Sequence, residues 1–213
     1  MLHLTEADCS ATEDDVLRAM FAARKEVFVD LLGWDVPVLA DRYEVDQFDD
    51  EHAIYLVVTD PAGGHLASAR LLLTTRPHIL ADLYAPLCDG NVPRGPGIYE
   101  VTRFCLDRHI GAKQRRFARD RLVMALAEFA LAEGIERYTG VAETGWLEQI
   151  LAFGWRAAPL GRPRPIRGRR LGALAIEIDS DTPRLLAEAG IRANPAQVET
   201  RPQARAQEPH HAL

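Results

Sequence analysis

The chain has 213 residues, 47% of them hydrophobic and 26% charged, with a formal net charge of −6. That length holds one domain with a full core or two very small ones, and the composition is that of a globular protein rather than a disordered one. The acidic balance argues against a general nucleic-acid binder, which needs a basic surface to neutralise phosphates.

The N-terminal "MLHLTEADCS" carries acids and no basic region ahead of an apolar stretch, so no signal peptide is expected. Residues 13–32, "EDDVLRAMFAARKEVFVDLL", read as a helix. Thr12 with Asp15 makes a capping box, and Gly33 ends the helix. Leu17, Met20, Phe21, Phe28 and Leu31 form an apolar stripe at helical spacing, with Arg24 in its middle. Residues 33–52 are a long polar segment, and a connection of that length without a period of its own is more often functional than accidental. Its second half, "YEVDQFDDEH", holds five acids in ten positions.

"AIYLVVTD", "PAGG" and "HLASARLLLTT" then read as a strand, a turn and a strand. Residues 76–97 are a Pro- and Gly-rich loop with a short helical piece at 79–84. "GIYEVTRFCLD" (97–107) is a third strand, rich in β-branched and aromatic residues. Residues 115–134 form a second long helix closed by Gly134. A strand at 135–143, a short helix at 145–153, and strands at 154–160 and 171–179 around an arginine-rich loop follow. A small helix occupies 183–192. From Ala193 the sequence has little to bury and is expected to be a disordered tail, leaving 1–192 as the domain. The order predicts one α/β domain: a mixed, mostly antiparallel sheet with helices on both faces.

Three scattered cysteines, Cys9, Cys88 and Cys105, show no zinc spacing and no disulfide framework, which fits a reducing cytoplasm. No run approaches the length of a membrane span. The charges inside apolar segments are more informative. A guanidinium on the buried stripe of a helix must reach water, a carboxylate or a ligand, because desolvating it unpaired costs several kcal/mol. Arg24 therefore either snorkels to solvent or meets Glu44, Asp46, Asp49 or Asp50. Arg70 sits in an otherwise apolar strand. Glu100 and Arg103 lie three apart in the third strand and would face opposite sides unless a β-bulge realigns them. Together these residues suggest a charge network around a polar pocket, though a purely structural network would look the same. Such a pocket suits an amino acid that is also cationic, its carboxylate on an arginine and its positive groups on acids. Trp34 would stack on a heteroaromatic ring or a cation of such a ligand, or plug the helix end.

A second feature is basic. Arg108, Lys113, Arg115 and Arg116 surround Gly111 at a helix start, an arrangement that binds anions. The run 108–113 partly resembles the phosphate-binding turn of GNAT N-acetyltransferases. Arginines 162, 164, 167, 169 and 170 form another cluster. Both are either solvated surface or docking sites for an acidic acyl carrier.

In order, "RKEVF" (24–28), "LGW" (32–34), "EVDQFDD" (44–50), "ARLL" (69–72) and "YEVTRF" (99–104) resemble the acyl-homoserine-lactone synthase family, the LuxI-type autoinducer synthases. The resemblance spans about residues 16–180. It implies a GNAT-like fold and a reaction between S-adenosylmethionine and an acyl thioester, either acyl-acyl-carrier protein or acyl-CoA. The substrate amine takes the acyl group, and its carboxylate then closes the lactone and expels methylthioadenosine. By that resemblance the catalytic set is Glu100, Arg103, Arg70, Asp46, Asp49 and Arg24, with Glu100 as the base. Trp34, Phe28, Glu44, Phe104 and Thr144 would contact substrates. Arg108, Lys113, Arg115 and Arg116 would dock the carrier. Leu147, Ile150 and Leu151 are candidate liners of an acyl tunnel. S-adenosylmethionine is a substrate here, and no further cofactor, metal or nucleic acid is implied. Tyr84 stands where the family often has Phe, and Glu143 where members preferring 3-oxo chains often have Ser or Thr. "AETGWL" is closer to a subgroup with "ETWWL", some of whose members take acyl-CoA.

Overall fold

Two faces of one sheet carry two different cores. The computed structural model describes residues 1–5 and 11–192, apart from the side chains of residues 4, 5 and 11–13. Cys9 and the tail beyond residue 192 lie outside the described residues, and so does the Thr12 side chain on which the capping box depends. The strands are β1 (Leu2–Thr5), β2 (Val38–Leu39), β3 (Tyr43–Glu44), β4 (Ile54–Thr59), β5 (His65–Leu73), β6 (Ile98–Leu106), β7 (Arg137–Glu143), β8 (Arg156–Pro159), β9 (Arg164–Ile166) and β10 (Arg169–Glu177). The helices are α1 (Ala11–Arg24), α2 (Ile79–Leu83), α3 (Ala112–Glu133), α4 (Thr144–Leu151) and α5 (Thr182–Glu188). The main sheet runs β1-β4-β5-β6-β7-β10-β8, with β9 paired to β10, and β2 and β3 pair separately.

Every pairing is antiparallel except β6 with β7. That parallel ladder is short: Ile98↔Arg137, Tyr99↔Tyr138 and Glu100↔Thr139. Beyond it the two strands run on without registered pairs.

Alternation along the strands sends Leu56, Val58, Ala69 and Leu71 to the face covered by α3 and α5, where they meet Leu122, Leu126 and Leu186. Tyr55, Val57 and Leu72 point the other way, onto Val16 and Met20 of α1 and Ile79 of α2. The mixed, mostly antiparallel sheet with helices on both faces is as the sequence predicts.

Two local features differ from the sequence expectation, and a third is as anticipated. The first helix does not continue to residue 32 as an α-helix. It ends at Arg24, and Lys25–Leu31 follow as a π-helix closed by Leu32 N–H donating to Val27 O at 2.9 Å. The arginine-rich loop is a β9–β10 hairpin that turns at Arg167 and Gly168, with φ of 47° and 78°. The anticipated bulge is present. Ser68 faces Cys105 and Arg70 faces Thr102, so Arg103 and Phe104 together oppose Ala69, and Arg103 takes a φ of 49°.

Gly154 leads into β8 at φ 98°, and a Cβ there would lie 2.5 Å from Ala189 Cβ and 2.8 Å from Leu185 O. Gly63 has φ 87° with open space around it. Gly63→Ala is expected to cost only left-handed strain, about 1–2 kcal/mol. Gly154→Ala adds a backbone clash and should cost about 3 kcal/mol or more. Urea unfolding of the two variants measures the difference.

Candidate functional site

The site grows from three buried arginines that cannot be left alone. Arg24 and Arg70 are fully buried, and the side chain of Arg103 is 10% exposed. Arg24 comes from the last turn of α1, Arg70 from β5, and Arg103 from the bulge of β6. Their carboxylates come from one short stretch. Glu44 ends β3, and Asp46 and Asp49 follow in a turn closed by Asp49 N–H to Asp46 O at 3.0 Å, with the Asp46 amide donating to Asp49 Oδ2 at 2.8 Å.

Arg24 donates from Nε to Glu44 Oε2 at 2.6 Å and from Nη1 and Nη2 to both oxygens of Asp49 at 2.8 and 2.9 Å. Arg70 donates to both oxygens of Asp46 at 2.7 and 3.1 Å, and its Nη1 lies 2.7 Å from Asp49 Oδ1. Arg103 donates from Nη2 to Glu44 Oε1 at 2.9 Å and to Asp46 Oδ2 at 2.6 Å. Each arginine thus touches two acids and each acid two arginines. The six close an alternating ring: Arg24, Glu44, Arg103, Asp46, Arg70, Asp49. Snorkelling of Arg24 is excluded. Asp50, also considered as its partner, lies apart and approaches the exposed Arg76 at 3.7 Å.

Burial alone would raise Asp49, but the hydrogen bonds and charges of Arg24 and Arg70 outweigh it and hold the carboxyl well below its usual range. Asp46 is lowered in the same way, chiefly by Arg70. Tyr55 of β4 completes the set, its hydroxyl donating to Asp49 Oδ1 at 2.9 Å, and Thr102 accepts from Arg70 Nε at 3.0 Å. Sequence reading missed both. Tyr55 looks like an ordinary aromatic strand residue; its one signal is its parity with Arg70 across a hairpin.

Glu100 shares this face but stands outside the ring. It is fully buried, opposite Leu72 and beside Thr139. Leu80 N–H donates to its Oε1 at 2.9 Å, and Oε2 is buried with no hydrogen-bond partner among the described residues. Burial pushes its pKa up to about 8, against the Leu80 amide and the charge of Arg70.

Phe28, in the π-helix, is buried and stacks on Trp34 with ring centroids 4.7 Å apart at 18°. Arg103 lies over both rings, at 5.7 and 5.9 Å. The aromatic pair therefore borders the ring at Arg103, its most exposed member. Trp34 thus covers the end of the first helix with its ring on Phe28 and a guanidinium nearby.

The structure does not bring the other predicted residues into this cluster. Phe104, next to Arg103, points to the opposite face of the sheet and meets Trp146 of α4 at 5.2 Å. Leu147, Ile150 and Leu151 share that side. Thr144 begins α4, where its hydroxyl donates to Arg170 O at 3.0 Å. Arg108 and Arg115 lie beside the start of α3, Arg108 donating to Glu26 O at 3.2 Å and Arg115 to Asp107 O at 3.0 Å. Lys113 and Arg116 are exposed there. Of the second arginine cluster, Arg164 approaches Asp89 at 3.7 Å and Arg169 turns inward onto Trp34 at 5.7 Å. An open cavity of about 240 Å³ is lined by His52, Ile54, Leu73, Arg76 and Tyr99 among others, and none of the six ring residues lines it. Among the described residues no group of three His, Cys, Asp or Glu side chains could hold a metal. Cys105 is buried, which pushes its thiol up to about 12 and leaves it no nucleophile. No helix among the described residues is long and apolar enough to cross a membrane.

A family model described as autoinducer synthase matches residues 8–186. An acyl-homoserine-lactone synthase of Rhizobium etli is 37% identical over 172 residues, covering 79% of this chain and 81% of the relative. One of Ralstonia nicotianae is 36% identical over 166 residues, covering 75% and 80%. A solved CoA-dependent acyl-homoserine lactone synthase with SAM and isopentyl-CoA matches with a TM-score of 0.79 at 28% identity, covering 91% of this chain and 90% of that one.

Removing one arginine leaves two acids under-neutralised in a buried place. Arg70→Ala is therefore expected to cost about 3–5 kcal/mol in urea unfolding, with circular dichroism separating a weakened fold from a lost one. Because the folded values of Asp46 and Asp49 lie below their unfolded value near 3.8, their contribution is present above that pH and is lost as the pH falls through and below it. Unfolding at stepped pH should show stability dropping below about pH 4, and less steeply in Asp49→Asn.

Proposed function

The chain belongs to the autoinducer synthase family, the acyl-homoserine-lactone synthases, and on that premise we propose how its residues carry out the reaction. It is an acyltransferase of quorum-sensing signal synthesis with the GNAT-like fold of its relatives. The amine of S-adenosylmethionine attacks the acyl carbon of a thioester, an amide bond forms, and the thiol leaves as the C–S bond breaks. The substrate carboxylate oxygen then attacks the γ-carbon, the bond to the sulfonium breaks, and methylthioadenosine departs from the lactone.

One observation carries the assignment of the base. Glu100 forms no ion pair among the described residues, and burial holds its pKa at about 8 against the more distant charges of Arg70 and Arg103. A carboxylate with so high a pKa is a competent acceptor for the substrate's ammonium proton near neutral pH. The ring of Arg24, Glu44, Arg103, Asp46, Arg70 and Asp49 builds the rigid wall beside it. Arg103, the most exposed arginine of the ring, is the donor for the substrate carboxylate. Asp46, the most exposed acid at 6%, faces the cationic groups. Phe28 and Trp34 wall the adenosyl-methionine pocket. The acyl chain belongs on the other side of β6, against Phe104, Trp146 and Leu147, with Thr144 at its mouth.

For the donor, coenzyme A thioesters are favoured. The helix α3 is 22 residues long and begins after Gly111 with no acid in its first turn. Its free amides, with Arg108, Lys113, Arg115 and Arg116 around them, suit a pyrophosphate. The similar solved enzyme is CoA-dependent. No further cofactor is needed, and both substrates place the reaction in the cytoplasm.

Incubation with S-adenosylmethionine and a series of acyl-CoAs, with acyl-acyl-carrier protein in parallel, should release methylthioadenosine and an acyl-homoserine lactone, read by mass. Acylation of another amine without methylthioadenosine would instead mark a different N-acyltransferase. Glu100→Gln keeps shape and loses basicity, so kcat should fall by about 10²–10⁴. Wild-type kcat/KM should rise with pH through a limb near 8, absent in the variant. Normal turnover by folded Glu100→Gln removes Glu100 from the mechanism. The raised folded value also means that wild-type stability contributed by neutral Glu100 is lost as the pH rises from about 4.5 through 8. Glu100→Gln should therefore gain in Tm over wild type on going from pH 5 to pH 9.

A further inference from the structure

One arginine of the β9–β10 hairpin behaves unlike its neighbours in sequence. The turn at Arg167 and Gly168 delivers Arg169 to the start of β10, and its guanidinium there meets three groups. It lies 5.7 Å from the Trp34 ring centroid. Its Nη2 donates to the Leu32 carbonyl. Its Nη1 donates to Glu143, the residue immediately before α4. The Trp34 ring thus has two guanidiniums near it, those of Arg169 and Arg103, and Phe28 stacked on it. The indole Nε1 is buried and has no hydrogen-bond partner among the described residues, so no hydrogen bond of its own side chain fixes the ring. The backbone of 32–34 bonds back to the π-helix, Leu32 to Val27, Gly33 to Val29 and Trp34 to Phe28.

We propose that Arg169 is a positioning residue for S-adenosylmethionine, clamping Trp34 through Leu32 and Glu143 so that the wall of the methionine-side pocket is fixed to the start of α4. The inference rests on the pocket assignment made above for Trp34. A guanidinium suits the task because its planar fork donates to two acceptors in its plane while its face lies on an aromatic ring. Lysine offers one point charge and cannot do all three. Glu143 neutralises the charge, so the clamp is an ion pair with a stacked face rather than a stray surface cation. The same pair links the two substrate sides, because α4 carries Trp146, which packs on Phe104. The Arg169 side chain is 31% exposed, and the hairpin register Arg169↔Ile166 is made by backbone, so the fold does not depend on this guanidinium.

The test compares wild type, Arg169→Met, Arg169→Lys and Glu143→Gln by titration calorimetry with S-adenosylmethionine alone, and by methylthioadenosine release at saturating acyl-CoA. Arg169→Met should raise Kd and KM for S-adenosylmethionine about tenfold, the size of a lost stacked cation with its hydrogen bonds. Its kcat should change far less than its KM, and its Tm should stay near that of wild type. Glu143→Gln should weaken binding in the same direction by a smaller factor, and Arg169→Lys should recover only part of the loss. An unchanged Kd for S-adenosylmethionine in folded Arg169→Met overturns the proposal, as does full recovery by lysine. If Arg169→Met does not fold, Glu143→Gln decides alone, and wild-type affinity there overturns it. Wild type that binds S-adenosylmethionine yet releases no methylthioadenosine refutes the proposed reaction while the Kd comparison still judges the clamp.

Discussion

Three guanidiniums and three carboxylates closed into an alternating ring are the constraint from which the rest of the site follows. Each charge is desolvated, and each has two opposite charges within hydrogen-bonding distance, so the ring is neutral as a whole and can be buried where any one member could not. Its members come from α1, β3 and the turn after it, β5 and β6. A helix, a loop and two strands are locked to one geometry. Such a device need not add net stability over an apolar core of the same volume, since the desolvation of six charges is large. What it adds is a unique arrangement, because no slip of one segment leaves the alternation intact.

The ring also explains Glu100 by exclusion. With three acids matched to three arginines, a fourth carboxyl on the same face has no counter-charge of its own, and burial then dominates its titration. It sits at the last registered pair of β6 and β7. In the proposed reaction one strand serves both substrates: Glu100 and Arg103 on the side of the amino acid, and Phe104, one residue on, on the side of the acyl chain. The bulge makes that possible by placing adjacent side chains on opposite duties without breaking the sheet.

Much of this was legible in the sequence because charge in an apolar setting is conspicuous. Arg24 in a helical stripe, Arg70 among leucines and Glu100 in a β-branched strand each demanded a partner. The acids at 44–49 were the nearest supply. The bulge at Arg103 was one of two geometries that a three-residue separation allowed. The rest was silent for physical reasons. The π-helix leaves no local mark, since apolar residues at helical spacing continue in the sequence to Leu31, which the structure leaves exposed. Tyr55 and Thr102 are ordinary strand residues until their partners are known. Arg169 is one of five arginines in a nine-residue stretch, set apart from the earlier ones by the turn at Gly168 and from the exposed Arg170 by strand alternation. Phe104 and Thr144 were named by resemblance, and no local pattern told which side of the sheet they would take.

The wide turn from Lys25 to Leu31 has its own implication. It hangs Phe28 and Trp34 from the last turn of α1 by bonds that skip one more residue than an α-helix would. A deletion of a single residue there would let the coil close in the ordinary α register and rotate everything beyond the cut by roughly 100°. Phe28 would then leave the indole and the edge of the buried ring together. The segment is thus tolerant in kind, at surface positions such as Lys25 and Asp30, and intolerant in length. Its count of residues, more than their chemistry, sets where the aromatic wall stands.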